Sequence, residues 1–110
     1  MNFEVTASDH FVKNLKRLAK KYASLKGEIA ELADNLSKDP NQGTSIGKGC
    51  FKIRLSIKSK GRGKSGGARV ITCVFALEQT VVLLSIYDKS EKENIENHEL
   101  EELIRNIDID

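Results

Sequence analysis

Apolar and polar positions change period early in this chain. Asn2-Phe3-Glu4-Val5-Thr6 alternates, which predicts a short edge strand. Apolar residues then fall at Phe11, Leu15, Leu18 and Tyr22, with Lys13, Lys16, Arg17, Lys20 and Lys21 around the rest of the circumference. That spacing predicts a helix with Ser8 or Asp9 at its N-cap. Leu25, Ile29, Leu32 and Leu36 make the stripe of a second helix, which Pro40 stops at Asp39. The two helices should form a hairpin with one shared apolar face.

Beyond Pro40 the period shortens. Asn41 to Gly49 reads as a glycine-rich loop. Cys50 to Lys58 then alternates, with Phe51, Ile53, Leu55 and Ile57 on one face and Lys52, Arg54, Ser56 and Lys58 on the other. Ser59 to Gly67 reads as a basic glycine loop. Arg69 to Phe75 and Thr80 to Tyr87 are two further strands, joined by a short turn at Leu77 to Gln79. Val81-Val82-Leu83-Leu84 is an unbroken apolar run, as expected of a central strand covered on both faces. Ser90 and Glu93 fit a capping box for a last helix bearing Ile95, Leu100, Leu103, Ile104 and Ile107. Its opposite face, Glu96, Glu99, Glu101 and Glu102, reads as solvated. The order βααβββα predicts an α+β domain with an antiparallel three-stranded meander in its second half.

A chain of 110 residues fits one domain spanning 1–110, large enough to bury a core without staples. Its two cysteines, Cys50 and Cys73, sit in apolar runs and read as buried thiols rather than a disulfide framework or zinc site. No stretch is apolar enough to span a membrane, and the first residues carry Glu4 and Asp9 with no apolar signal region. The expected location is the reduced cytoplasm, with no membrane partner.

Charge changes the picture more. The formal net charge is only +2, yet no acidic residue lies between Asp39 and Glu78, where Lys48, Lys52, Arg54, Lys58, Lys60, Arg62, Lys64 and Arg69 gather. A concentrated field of one sign selects a polyanion, and nucleic acid is the first to consider. Gly63-Lys64-Ser65 is not a phosphate loop: Lys58 stands where its first glycine belongs, and a strand rather than a helix follows. His10 and His98 lie on different helices without ligand-spaced partners, and paired carboxylates are missing from the sheet region. The basic strand face remains. Exposed lysines can simply discourage edge pairing. Arg69, however, opens an inner strand, where an unpaired charge is costly. If the meander pairs in order, Arg69 lies across from the middle or far end of the Lys52 strand. Three cations then converge, suited to a phosphodiester and to the extra charge of its pentacovalent transition state.

Phe51-Lys52-Ile53-Arg54-Leu55, the glycine-rich stretch Lys60 to Ile71 and Leu84-Ser85-Ile86-Tyr87-Asp88-Lys89-Ser90-Glu91-Lys92-Glu93-Asn94 together resemble the RelE/ParE superfamily of bacterial toxins, nearest its RelE and HigB-like branch. The resemblance covers the whole chain in element order and residues 50 to 95 in motif. It implies a ribosome-dependent mRNA endonuclease that cuts the A-site codon without metal or cofactor, through attack of the 2′-OH on the adjacent phosphate. It implies a cognate antitoxin as partner beside the ribosome and mRNA. Carried over by position, Lys52 and Arg54 hold the phosphate, and which of them serves as base stays open. Arg69 stabilises the transition state, and Lys89 fills a further basic position. The family's C-terminal tyrosine aligns near Ile95, so Tyr87 is the tyrosine able to replace it, and the general acid stays unassigned. Lys48, Lys58, Lys60, Arg62 and Lys64 are then the cations expected to contact RNA or the ribosome. Two alternatives stand beside this reading: a ParE-like gyrase inhibitor sharing the fold, and a non-catalytic RNA-binding module.

Overall fold

A computed structural model describes residues 2–60 and 66–107. Ser8 ends strand β1 (Glu4–Ala7) and starts helix α1 (Asp9–Lys21). Its hydroxyl accepts the Phe11 backbone N–H at 3.1 Å and donates to the Leu84 carbonyl at 3.2 Å, so one side chain caps the helix and ties it to the sheet. Helix α2 (Leu25–Lys38) follows and ends at Asp39, one residue before Pro40, as the sequence predicts. Strands β2 (Thr44–Gly47), β3 (Cys50–Leu55), β4 (Ala68–Phe75) and β5 (Thr80–Asp88) come next, then helix α3 (Asn97–Arg105).

The five strands form one sheet in the order β1-β5-β4-β3-β2. The meander β3-β4-β5 is antiparallel as expected, β1 adds at the edge of β5 in parallel, and β2 forms the other edge. One face packs α1 and α2 through Phe11, Leu18, Leu25, Leu32 and Leu36 onto Ile53, Val70, Val81 and Leu83. The other face packs α3 through Leu100 onto Cys50, Ile71, Cys73, Val82 and Leu84. Every residue of β5 is buried, which accounts for its continuous apolar run.

Three expectations need correction. Asn41 to Gly49 is not all loop, because Thr44–Gly47 pairs with β3. Only Ile46 in it is a large apolar residue, too little for a period to show. The strand begun at Cys50 stops at Leu55, and Lys58–Lys60 turns into a short 3-10 segment. Helix α3 does not start at Ser90; its capping box is Glu96 with Glu99, and 89–96 forms an irregular strap across the second face of the sheet. Ser90 serves Asp88 instead, as described below.

A bulge in β5 fixes which side chains share that second face. Ile71 pairs with Ser85 but Thr72 with Leu83, leaving Leu84 as an extra residue. Side chains alternate along a strand, so one extra residue inverts the alternation beyond it. Leu83 and Ile86 therefore both face the α1–α2 core, while Leu84 and Tyr87 both face the α3 side.

Candidate active site

The inversion brings Tyr87 into register with two arginines. Arg54 is the cross-strand partner of Arg69, and Arg69 is the partner of Tyr87, so the three form one row across β3, β4 and β5. Lys52 lies two residues before Arg54 on the same face, opposite Ile71. Arg54 is exposed and Arg69 is 5% exposed. Among the described residues Arg54 has no ion-pair partner. Arg69 donates from Nη1 to the Ala68 carbonyl at 3.1 Å. The predicted convergence of Lys52, Arg54 and Arg69 is therefore present, with one guanidinium open to solvent beside one set into the sheet.

The strap covers part of this row. Lys52 Nζ donates to Asn94 Oδ1 at 3.3 Å, and Lys89 Nζ to the Glu93 carbonyl at 3.2 Å. Lys92 Nζ stands 5.6 Å over the Tyr87 ring while pairing with Glu99. The Tyr87 hydroxyl is enclosed and has no formed hydrogen bond among the described residues. Burial raises its pKa above the usual tyrosine value, against the opposing pull of the Arg69 charge. Tyr87 thus stands beside the arginines as a neutral phenol, a form that can donate a proton.

Asp88, which sequence reasoning did not single out, is fully buried next to the row. It accepts Tyr22 Oη at 2.5 Å, Lys60 Nζ at 2.5 Å, and the Ser90 backbone N–H and hydroxyl at 2.9 and 2.7 Å. Burial would raise its pKa, but the Lys60, Tyr22 and Ser90 donors outweigh it and hold the carboxyl well below the usual range. One carboxylate thereby joins the end of α1, the 3-10 segment and the start of the strap. Asn94 was missed too: a polar residue in a presumed helix carries no sequence signal of reaching Lys52.

The outer cations divide. Lys60, expected at an RNA surface, is only 10% exposed in its side chain and is used by Asp88, with the Tyr22 ring 5.6 Å away. Lys48, at φ 59° in the β2–β3 turn, pairs with Glu101 of α3 at 3.7 Å. Lys58 is exposed at the start of the 3-10 segment. Arg62 and Lys64 lie outside the described residues. Cys50 and Cys73 are buried cross-strand partners, with one thiol hydrogen-bonded to the other at 3.0 Å. No group of three or more potential metal-ligating side chains occurs among the described residues. Nor is any described helix long and apolar enough to cross a membrane.

The profile of a family described as the RelE toxin of the RelE/RelB toxin-antitoxin system matches residues 8–107. The chain belongs to the RelE toxin family. No curated protein sequence matches it significantly. Solved RelE structures share its fold. An Escherichia coli RelE double arginine-to-alanine mutant in the free state superposes with a TM-score of 0.62 at 15% identity, covering 97% of this chain and 99% of that one. The toxin in the RelBE2 toxin-antitoxin complex of Mycobacterium tuberculosis gives 0.58 at 18% identity, covering 80% and 92%. A metal-bound toxin from Helicobacter pylori gives 0.52 at 19% identity, covering 81% and 97%. RelE family membership and the α+β fold thus stand, and the row of arginines lies on the sheet face of a RelE toxin.

Proposed function

We propose that this RelE toxin is a ribosome-dependent mRNA endonuclease whose centre is Lys52, Arg54, Arg69 and Tyr87. The observation that carries the reading is the register pairing Arg54 with Arg69 on one face, with Lys52 beside them and Tyr87 across. Two guanidiniums can bind the non-bridging oxygens of one phosphate and gain strength as its charge rises in the transition state. The 2′-oxygen bonds to phosphorus, the bond to the 5′-oxygen breaks, and a cyclic phosphate and a 5′-hydroxyl end result. The 2′-OH proton passes to a base, and Lys52, two residues before Arg54 on the same strand face, is positioned for that role. The 5′-oxygen takes a proton from an acid, and Tyr87 is the phenol beside the row. Positive charge for the reaction comes from side chains, so the proposed cleavage needs no metal. Lys89 and Lys58 would contact RNA outside the reacting phosphate, and a cognate antitoxin would bind the toxin, as in the RelBE2 complex.

The test is primer extension on a defined mRNA in reconstituted translation, with and without ribosomes. In-frame cuts that require ribosomes are expected, falling by about 10²-fold or more in Arg69→Ala with an unchanged circular dichroism spectrum. Arg69→Lys should restore little, because an ammonium cannot replace a bidentate guanidinium. Undiminished cutting by Arg69→Ala, or cutting of naked RNA by the free chain, would count against the proposal.

A further inference from the structure

The reacting row leaves an adjoining groove unused. It has a volume of about 730 Å³, within the range of about 300–1,000 Å³ typical of small-ligand sites. The first turns of α1 form one wall, the strap and α3 the other, and β5 the floor. Ile95 and Leu103 supply apolar surface, while His10, Asn14 and Ser85 supply polar atoms. His10 Nε2 is 2.9 Å from Asn14 Nδ2 and 3.4 Å from Ser85 Oγ. The Asn14 amide nitrogen can only donate, its Oδ1 stays an acceptor, and the Ser85 hydroxyl can do either. The set therefore offers both donors and acceptors.

Charge and position narrow the ligand. Two ion pairs lie in the groove, Arg17 with Glu91 at 3.3 Å and Lys92 with Glu99. Its lining cations Lys13, Arg17 and Lys92 are balanced by Asp9, Glu91, Glu99 and Glu102, so the groove suits an uncharged planar group better than a phosphate. Tyr87 lines the groove and is also the partner of Arg69. The groove thus begins one strand spacing, about 4.8 Å, from the arginine that holds the phosphate. Proteins read single-stranded RNA by taking splayed bases against apolar or aromatic side chains and hydrogen-bonding their edges.

We propose that the groove receives the base adjoining the phosphate held by Arg54 and Arg69, and that His10, Asn14 and Ser85 read its edge. The inference rests on the RNA-cleaving reading and adds a specificity subsite to it. Its first test needs no cleavage. A tetranucleotide with 2′-deoxy sugars, which lacks the attacking hydroxyl, is titrated into the full chain and followed by amide shifts. Shifts at His10, Asn14 and Ser85, with binding weakened at least threefold in His10→Ala and Asn14→Ala, are expected. Shifts confined to β3 and β4, with affinity unchanged in both variants, overturn it. The second test sequences the ends cut in translation. Wild type should favour particular bases next to the cut, and the two variants should flatten that preference at least threefold; an unaltered preference overturns the subsite. Cuts without groove shifts would remove the subsite and keep the nuclease. Groove shifts without any cuts would keep a base-binding groove and remove the nuclease.

Discussion

Asp88 holds more of this site together than any residue that contacts it by charge alone. Its carboxylate is buried and receives Lys60, Tyr22 and Ser90. Removing one member of a buried pair leaves the other charge without compensation. Asp88→Asn should therefore cost about 3 kcal/mol at neutral pH, lowering the melting temperature by roughly 10 °C. The pH dependence has a defined sign. A carboxyl whose pKa is depressed on folding stabilises fully above its unfolded value, near 3.9, and that contribution fades as pH falls toward the folded value. The gap between wild type and Asp88→Asn, read by thermal melts, should be constant near neutrality and close below about pH 4. Tyr87→Phe separates stability from chemistry. The hydroxyl makes no hydrogen bond among the described residues, so its loss should change stability by less than about 0.5 kcal/mol. If Tyr87 is the acid, the same substitution slows cutting by about 10² or more. Lys52, Arg54 and Arg69 were legible because an acid-free basic stretch and a period of two reveal face and charge. Asp88 was not: an aspartate at a strand end looks like a turn residue until Tyr22 and Lys60 are seen to meet it.

At the scale of elements, the site depends on how closely β3 and β4 approach. A Cβ on Gly67 would stand 2.1 Å from the Leu55 carbonyl oxygen, beside the Arg54–Arg69 pair. Gly67→Ala must push those strand ends apart, at about 2 kcal/mol, and should impair cutting more than a stability loss of that size alone explains. Comparing it with the distant cap variant Ser8→Ala, expected to cost about 1 kcal/mol, separates the two effects. Helices and inner strands were readable because each buries a periodic stripe. Strand β2 was not, since an edge of four residues among glycines needs only one face and few apolar groups. The start of α3 was misplaced because Ser90 and Glu93 satisfy the capping pattern, while Asp88 outcompetes the helix for the Ser90 hydroxyl. The bulge at Leu84 is invisible in a run of apolar residues, since either alternation fits a strand covered on both faces. Yet that one residue decides whether Tyr87 stands with the arginines or with the opposite core.

Taken whole, the molecule divides its sheet between two cores of different character. One face is sealed by α1 and α2. The other is sealed by α3 at one end and left cationic at the other. Under the proposed function RNA binding should weaken as salt rises, because each neutralised phosphate releases counterions. Arg54→Ala should lower the slope of log affinity against log salt for single-stranded RNA by about 0.7, and substitution of the sequestered Lys60 should change that slope far less. Filter binding across a salt series provides the measurement.

The parallel pairing of β1 with β5 has a consequence for biosynthesis. Glu4 meets Thr80 and Ala7 meets Leu83, so β1 must wait for a strand made much later. Tyr87 and Asp88 lie later still, on the same strand. A nascent chain halted before β5 would carry Lys52, Arg54 and Arg69 without the strand that sets their row or the carboxylate that anchors its surroundings. The proposed centre therefore cannot assemble until β5 has left the ribosome that makes it, a delay that shields the very machine the finished protein is proposed to attack.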